Sequence, residues 1–407
     1  MSNTQTKNVP ELRFPGFEGE WEEKKLGNLT TKIGSGKTPK GGSENYTNKG
    51  IPFLRSQNIR NGKLNLNDLV YISKDIDDEM KNSRTYYGDV LLNITGASIG
   101  RTAINSIVET HANLNQHVCI IRLKKEYYYN FFGQYLLSRK GKRKIFLAQS
   151  GGSREGLNFK EIANLKIFTP TIFEEQQKIG QFFSKLDRQI ELEEQKLELL
   201  QQQKKGYMQK IFSQELRFKD ENGEDYPDWE NSKIEKYLKE RNERSDKGQM
   251  LSVTINSGII KFSELDRKDN SSKDKSNYKV VRKNDIAYNS MRMWQGASGK
   301  SNYNGIVSPA YTVLYPTQNT SSLFIGYKFK THRMIHKFKI NSQGLTSDTW
   351  NLKYKQLKNI NIDIPVLEEQ EKIGDFFKKM DILISKQKMK IEILEKEKQS
   401  FLQKMFL

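Results

Sequence analysis

The sequence predicts an α+β protein: two mixed α/β domains separated by two long helices that form an antiparallel coiled coil, on a pseudo-two-fold internal repeat. Three observations predict it. Residues 174–212 return as residues 368–406, shifted by 194 without a gap and identical at 18 of 39 positions. Both copies lack proline and carry apolar residues at heptad spacing, the pattern of a coiled-coil helix. The regions between them show short apolar runs punctuated by Gly, Asn and Ser, as strands and turns do. So long a period marks two copies of a whole module rather than a solenoid of short units.

The seam sets an expected register. With Leu186, Glu193, Leu200 and Tyr207 at d, the a positions are Ile190, Leu197, Lys204 and Ile211. In the second copy Met380, Gln387, Leu394 and Phe401 are d, while Ile384, Ile391, Lys398 and Met405 are a. A parallel pairing would set Lys204 against Lys398, two like charges. An antiparallel pairing with partner numbers summing to 591 sets Glu193 opposite Lys398 and Lys204 opposite Gln387, leaving every other layer apolar. The alternative is two separate amphipathic helices, each packed on its own domain.

In chain order, residues 1–20 are a polar arm ending in Glu11-Leu12-Arg13-Phe14, and the same four letters recur at Glu215-Leu216-Arg217-Phe218. Trp21 and Trp229 follow at similar distances. The expected organisation is an arm (1–20), a first domain (21–170), a long helix (171–214), a linker (215–228), a second domain (229–365) and a second long helix (366–407). The arm that would follow the second helix stands at the start of the chain, so the two ends are expected to meet. Residues 51–58, 89–95 and 117–123 read as strands in the first domain; 252–255, 285–290 and 311–315 do so in the second. Gly88-Asp89-Val90-Leu91 is echoed by Asn284-Asp285-Ile286-Ala287. Between such landmarks the domains diverge, as expected of two readers that share a frame and recognise different things.

Charge says what they read. Lys and Arg number 68 against 49 Asp and Glu, a formal +19. The helical segments 172–214 and 366–407 carry 0 and +1, which leaves +18 on the remainder. A positive field confined to the globular parts points to a polyanion, above all nucleic acid. Only 35% of residues are hydrophobic, and Cys119 is the single cysteine, which excludes an intramolecular disulfide and fits a reducing cytoplasm. No apolar run approaches membrane-spanning length.

Catalytic readings fail. Residues 34–38 (GSGKT) imitate a phosphate loop, but the first glycine of that motif falls at Thr31. His332 and His336 have i,i+4 spacing without a third ligand, so no metal is expected. His111 and His117 have no identifiable nucleophile or acid partner. Binding residues are more evident. Ser35, Lys37, Thr38 and Lys40 form a small-residue loop suited to a phosphate backbone. Arg55, Ser56, Asn58 and Arg60 join guanidinium donors to an amide that can read adenine edges. Ser98 and Arg101 lie on a Gly-rich turn. Asn289, Arg292, Trp294 and Gln295 combine amide, guanidinium and aromatic groups, and Arg154, Arg241 and Arg244 complete the expected DNA-binding set.

These residues carry a resemblance. The chain resembles the specificity subunit of type I restriction–modification systems over nearly its full length. The motifs are PELRFPGFEGEWEEKKLG, residues 36–39 followed by Ile51-Pro52-Phe53-Leu54-Arg55, Gly88-Asp89-Val90-Leu91, and NSMRMWQGASG with GIVSPAY. With them come the helix starts at Pro170/Glu174-Glu175-Gln176 and Pro365/Glu368-Glu369-Gln370. Phe53 stands where many relatives have Trp. The resemblance implies two target-recognition domains reading the halves of a bipartite double-stranded DNA target, with the helices as a ruler, and no activity in the chain alone. Two modification subunits would bring S-adenosylmethionine and adenine N6-methylation; restriction subunits would bring Mg and ATP-dependent translocation and cleavage. A stand-alone bivalent DNA-binding regulator and a DNA-modifying enzyme with its own catalytic site stay open as alternatives.

Overall fold

The computed structural model describes residues 8–149, 156–266, 271 and 274–407. It divides into two compact units, Met1–Glu194 with Met389–Leu407, and Gln195–Lys388.

The first unit runs β1 (Glu22–Lys25), α1 (Leu26–Leu29), β2 (Thr30–Ser35), β3 (Ile51–Leu54), β4 (Ile59–Arg60), β5 (Lys63–Leu64), β6 (Val70–Ile72), α2 (Lys74–Glu79), β7 (Arg84–Thr85), β8 (Val90–Asn93), β9 (Thr102–Ile104), β10 (Ala112–Leu114) and β11 (Val118–Leu123). Then follow α3 (Tyr129–Leu137), α4 (Arg139–Leu147), α5 (Phe159–Asn164), β12 (Lys166–Thr169) and the long α6 (Phe173–Phe212), whose first half belongs here. Strands in the order β2-β11-β8-β9 form an antiparallel sheet. A second sheet, β6-β3-β10-β7, is mixed because β10 runs parallel to β3. Strand β8 is buried throughout and β11 over its first four residues, so each reads as a short apolar run, Val90–Leu92 and Val118–Ile121. Strand β1 pairs with β12, but its residues are EEKK, which gives no apolar signal at all.

The second unit keeps the frame. It contains β13 (Glu230–Lys233), β14 (Leu238–Glu240), β15 (Leu251–Thr254), β16 (Gly258–Lys261), β17 (Lys279–Val281), β18 (Ile286–Asn289), β19 (Ser298–Lys300), β20 (Gly305–Val307) and β21 (Tyr311–Pro316). After these come α7 (Ser322–Lys328), α8 (His332–Asn341), α9 (Tyr354–Leu357), β22 (Asn361–Ile364) and the long α10 (Leu367–Lys404). The sheet β14-β21-β18-β19 repeats β2-β11-β8-β9, and β13-β22 repeats β1-β12. The mixed sheet has a looser counterpart: the two-stranded pairs β15-β16 and β17-β20 are joined by a parallel bridge between Met250 and Ile306, so that β16-β15-β20-β17 follows the order β6-β3-β10-β7. The shared frame thus includes both layers, and what diverges is the turns that leave the strands and the extent of pairing in the second layer.

Each unit is locked by a buried carboxylate. Glu175 is 1% exposed, and Arg13 holds it with two hydrogen bonds of 2.7 Å while the Trp21 indole N–H donates at 3.2 Å. In the second unit Glu369 accepts from Arg217 at 2.7 and 3.2 Å and from Trp229 at 3.2 Å. These hydrogen bonds hold both guanidinium groups above their ordinary pKa. The neighbouring Gln176 and Gln370 donate to the Pro170 and Pro365 carbonyls and accept from the Tyr128 and Ser321 N–H groups. The arm, the tryptophan and the helix-start motif are therefore one structural device. In the first unit the chain ends do meet: Leu12 N–H donates to the Lys404 carbonyl at 3.0 Å, and Phe406 stacks on Phe183. Phe212 makes the same stack on Phe377 in the second unit.

The helices pack antiparallel within each unit, but the expected register is corrected. Lys398 takes Asp187 at 2.5 Å, Lys204 takes Asp381 at 2.6 Å, and Glu193 pairs with Lys390. Ring contacts agree: Phe182 meets Phe401 and Tyr207 meets Phe376. Partner numbers sum to 583–585 rather than 591, a displacement of about one heptad. Glu193 with Lys398 and Lys204 with Gln387 are not the pairs that form. A seven-residue slip keeps every a and d position on the seam but gives up the matched polar layers, and the seam lysines reach flanking carboxylates instead. The observed register gives each seam lysine a carboxylate, whereas the other offers Lys204 only an amide.

Candidate nucleic-acid interface

In the first unit the expected segments leave their strands at one end of the sheets. Ser35 pairs with Cys119 and Asn93 with Val118, so the ends of β2 and β8 both lie at the start of β11. Ser35 is the last strand residue rather than part of the loop. After it the chain turns against β10, where Lys37 N–H donates to the Leu114 carbonyl at 2.9 Å. A Cβ on Gly36 would stand 1.9 Å from that oxygen, so only glycine lets the loop pass. Thr38 hydrogen-bonds Gln116, and Lys37 and Lys40 are exposed. His117 contacts the Thr95 hydroxyl at 2.6 Å, which joins this loop to the turn bearing Ser98 and Arg101. The buried amide of Asn93 donates to the Ser56 carbonyl and the Ser98 hydroxyl, drawing a third segment in.

Several expected contacts are committed elsewhere. Asn58 is wholly buried; its amide accepts from Arg55 N–H and donates to the Asn65 carbonyl, so it builds a turn instead of reading a base. Arg55 lies over the Tyr46 ring and donates to the Asp68 carbonyl, leaving it only partly presented; Arg60 is exposed. Arg241 makes two hydrogen bonds of 2.7 and 2.9 Å to buried Asp285, the role Arg122 plays for Asp89 in the first unit. Both pairs fasten the turn before a central strand, which explains why the Asp of each landmark is present. Arg244 donates to Asn277, and Arg154 lies outside the described residues.

The second unit assembles a platform at the matching place. Asn289 ends β18 opposite Tyr311, and its side chain accepts from Met291 N–H, shaping the turn to Gly296. Trp294 meets Trp350 edge to face at 5.2 Å, and Lys339 lies 5.7 Å from the Trp350 ring. Arg292 and Gln295 are half-buried in the same turn. Leu352 N–H donates to the Ser290 carbonyl as Leu157 does to Ile94. In both units, then, the turn after the central strand, a basic helix and the loop following that helix are neighbours.

The basic helices α4 and α8 were missed in the sequence. Ser138 and Thr331 cap them. Arg139, Lys142 and Arg143 are exposed on α4, while Lys140 and Lys144 are anchored on the Phe406 and Lys166 carbonyls. The run RKGKRK was a legible signal; a phosphate-contacting face is what exposed cations on a capped helix provide.

Two mixed units, each a reader-like platform on a shared sheet and both built onto a pair of long duplicated helices, define a class of bipartite binding subunit. The chain belongs to the type I restriction modification DNA specificity domain family, whose model matches residues 18–202 and 226–396. It is 26% identical over 250 residues to a type I restriction enzyme MjaX specificity subunit of Methanocaldococcus jannaschii, covering 59% of this chain and 56% of that protein. It is 31% identical over 144 residues to the EcoBI specificity subunit of Escherichia coli, covering 34% of this chain and 30% of that one. The chain thus spans about half or less of the curated relatives it matches. Its fold is similar to the S subunit of a type I restriction–modification system from M. genitalium, with a TM-score of 0.60, 14% identity, and 98% and 99% of the two chains covered. A chain from a structure on complex assembly and conformational transition of the type I R-M system gives 0.54 at 15% identity, covering 96% and 97%. No described helix is long and apolar enough to cross a membrane.

Proposed function

We propose that this chain is the DNA-recognition subunit of a type I restriction–modification enzyme, each unit reading one half of a bipartite target. The observation that carries the reading is the duplicated sheet whose strand ends bear different turns: Lys37–Thr38, Ser56 and Ser98–Arg101 in one unit, Asn289–Gln295 with Trp350 in the other. A constant frame with variable tips separates positioning on the duplex from reading of bases. The chain itself supplies no chemistry. Two modification subunits carry S-adenosylmethionine and methylate adenine in the bound target; restriction subunits carry ATP and Mg, and the complex works in the cytoplasm. Exchanging residues 21–157 for those of a relative and mapping methylated adenines in a host tests this. One half of the methylated sequence changes and the other stays. A change in both halves, or methylation by the chain without partners, refutes it.

A further inference from the structure

Residues 343–351 of the second unit form a small closed turn. Gln343 and Asn351 exchange both backbone hydrogen bonds, at 2.8 and 3.0 Å. Inside it Thr349 N–H donates to the Thr346 carbonyl, and the Thr349 hydroxyl accepts from Thr346 N–H. Gly344 adopts φ +143°, and a Cβ there would stand 2.6 Å from the Thr349 carbonyl. This built turn presents Leu345 wholly to solvent, at 101% exposure. A lone exposed leucine is ordinary; this one sits at the tip of a turn whose base is the Trp294–Trp350 pair. Met291 in the turn after β18 and Ile340 on α8 are also exposed, at 41% and 65%, and Lys339 of α8 lies over the Trp350 ring at the base of this turn. At the matching place in the first unit, α4 ends in Phe146 and Leu147, 70% and 69% exposed.

An apolar tip on a fixed turn, with a cation at the base of the turn, has the form of a wedge that enters between base pairs and unstacks them. We infer that Leu345 inserts at one base step of the half-site read by the second unit, while Lys339 holds the flanking backbone. The inference rests on the DNA-reading function proposed above.

The test uses the full chain expressed with its host's modification subunits and duplexes of the mapped target, with 2-aminopurine at each adenine of that half-site in turn. Apart from the methylated adenine, which the modification subunits take out of the stack, binding raises fluorescence at one step. Leu345→Ala abolishes the rise and weakens target binding by about tenfold, with non-specific duplex unaffected. Leu345→Met keeps both, and an abasic site at the wedged step restores Leu345→Ala affinity. If the native complex binds its target with no step unstacked, the wedge is refuted and the DNA-reading function stands. Equally, if Leu345→Ala binds DNA normally but loses the modification subunits, the turn is a protein contact and the wedge is refuted. If the native complex binds no specific duplex, the DNA-reading function fails and the wedge with it.

Discussion

Replacing Arg13 by alanine strands a buried charge. Both oxygens of Glu175 are engaged in the native unit, and three of the available donors are two Arg13 nitrogens and the Trp21 indole. The Arg13 and Glu175 side chains are 13% and 1% exposed, so water does not replace the guanidinium. Removing one partner of such a pair costs about 3–5 kcal/mol. Urea unfolding of the two proteins at pH 7, with hydrogen exchange assigning the loss to the first unit, measures it. Glu175→Gln in the Arg13→Ala background should recover part of the loss, because an amide in that pocket leaves no charge unpaired. A loss under about 1 kcal/mol, or one that Glu175→Gln does not relieve, refutes the buried-clamp reasoning. Arg217→Ala should repeat the behaviour in the second unit through Glu369.

Three other outcomes are expected. A double-mutant cycle on Asp187 and Lys398 should show coupling of about 0.5–1 kcal/mol, and one on Glu193 and Lys398 almost none; the reverse would restore the displaced register. Arg292→Ala should relax specificity at one base by about 1–3 kcal/mol, whereas Arg143→Ala should weaken all duplexes alike and lower the salt slope by about one; Arg241→Ala should instead destabilise the second unit, which thermal unfolding would reveal. Burial pushes the Cys119 thiol up to about 12, so it stays a thiol at pH 7 and alkylation should follow unfolding of the first unit; rapid labelling of the native chain contradicts this.

Much of the fold was legible because its signals are local. Six strands were read where β3, β8, β11, β15, β18 and β21 lie, since their apolar runs are bounded by turn residues. The β1-β12 pair went unread because EEKK lies on an exposed edge, where side-chain pattern carries no information. At the candidate interface, Trp294, Arg292, Ser98 and Lys37 fall on the converging turns. Asn58 and Arg241 do not serve there, because whether a polar residue faces a ligand or satisfies its own fold depends on neighbours distant in sequence. Asp285 lies 44 residues from Arg241.

By itself the sequence determined the duplication, the two long helices and the placing of positive charge on the globular parts. Each follows from residue period or composition, which the chain carries without reference to its folded partner. Tertiary structure decided what meets what. The ELRF arm and the helix start read as separate repeats until Arg13 and Glu175, 162 residues apart, closed on one buried ion pair. The coiled-coil register was settled in the same way. A heptad pattern keeps its a and d positions through a slip of seven, and the flanking carboxylates Asp187 and Asp381, brought beside Lys398 and Lys204 by packing, outweigh the matched polar layers that the sequence suggested.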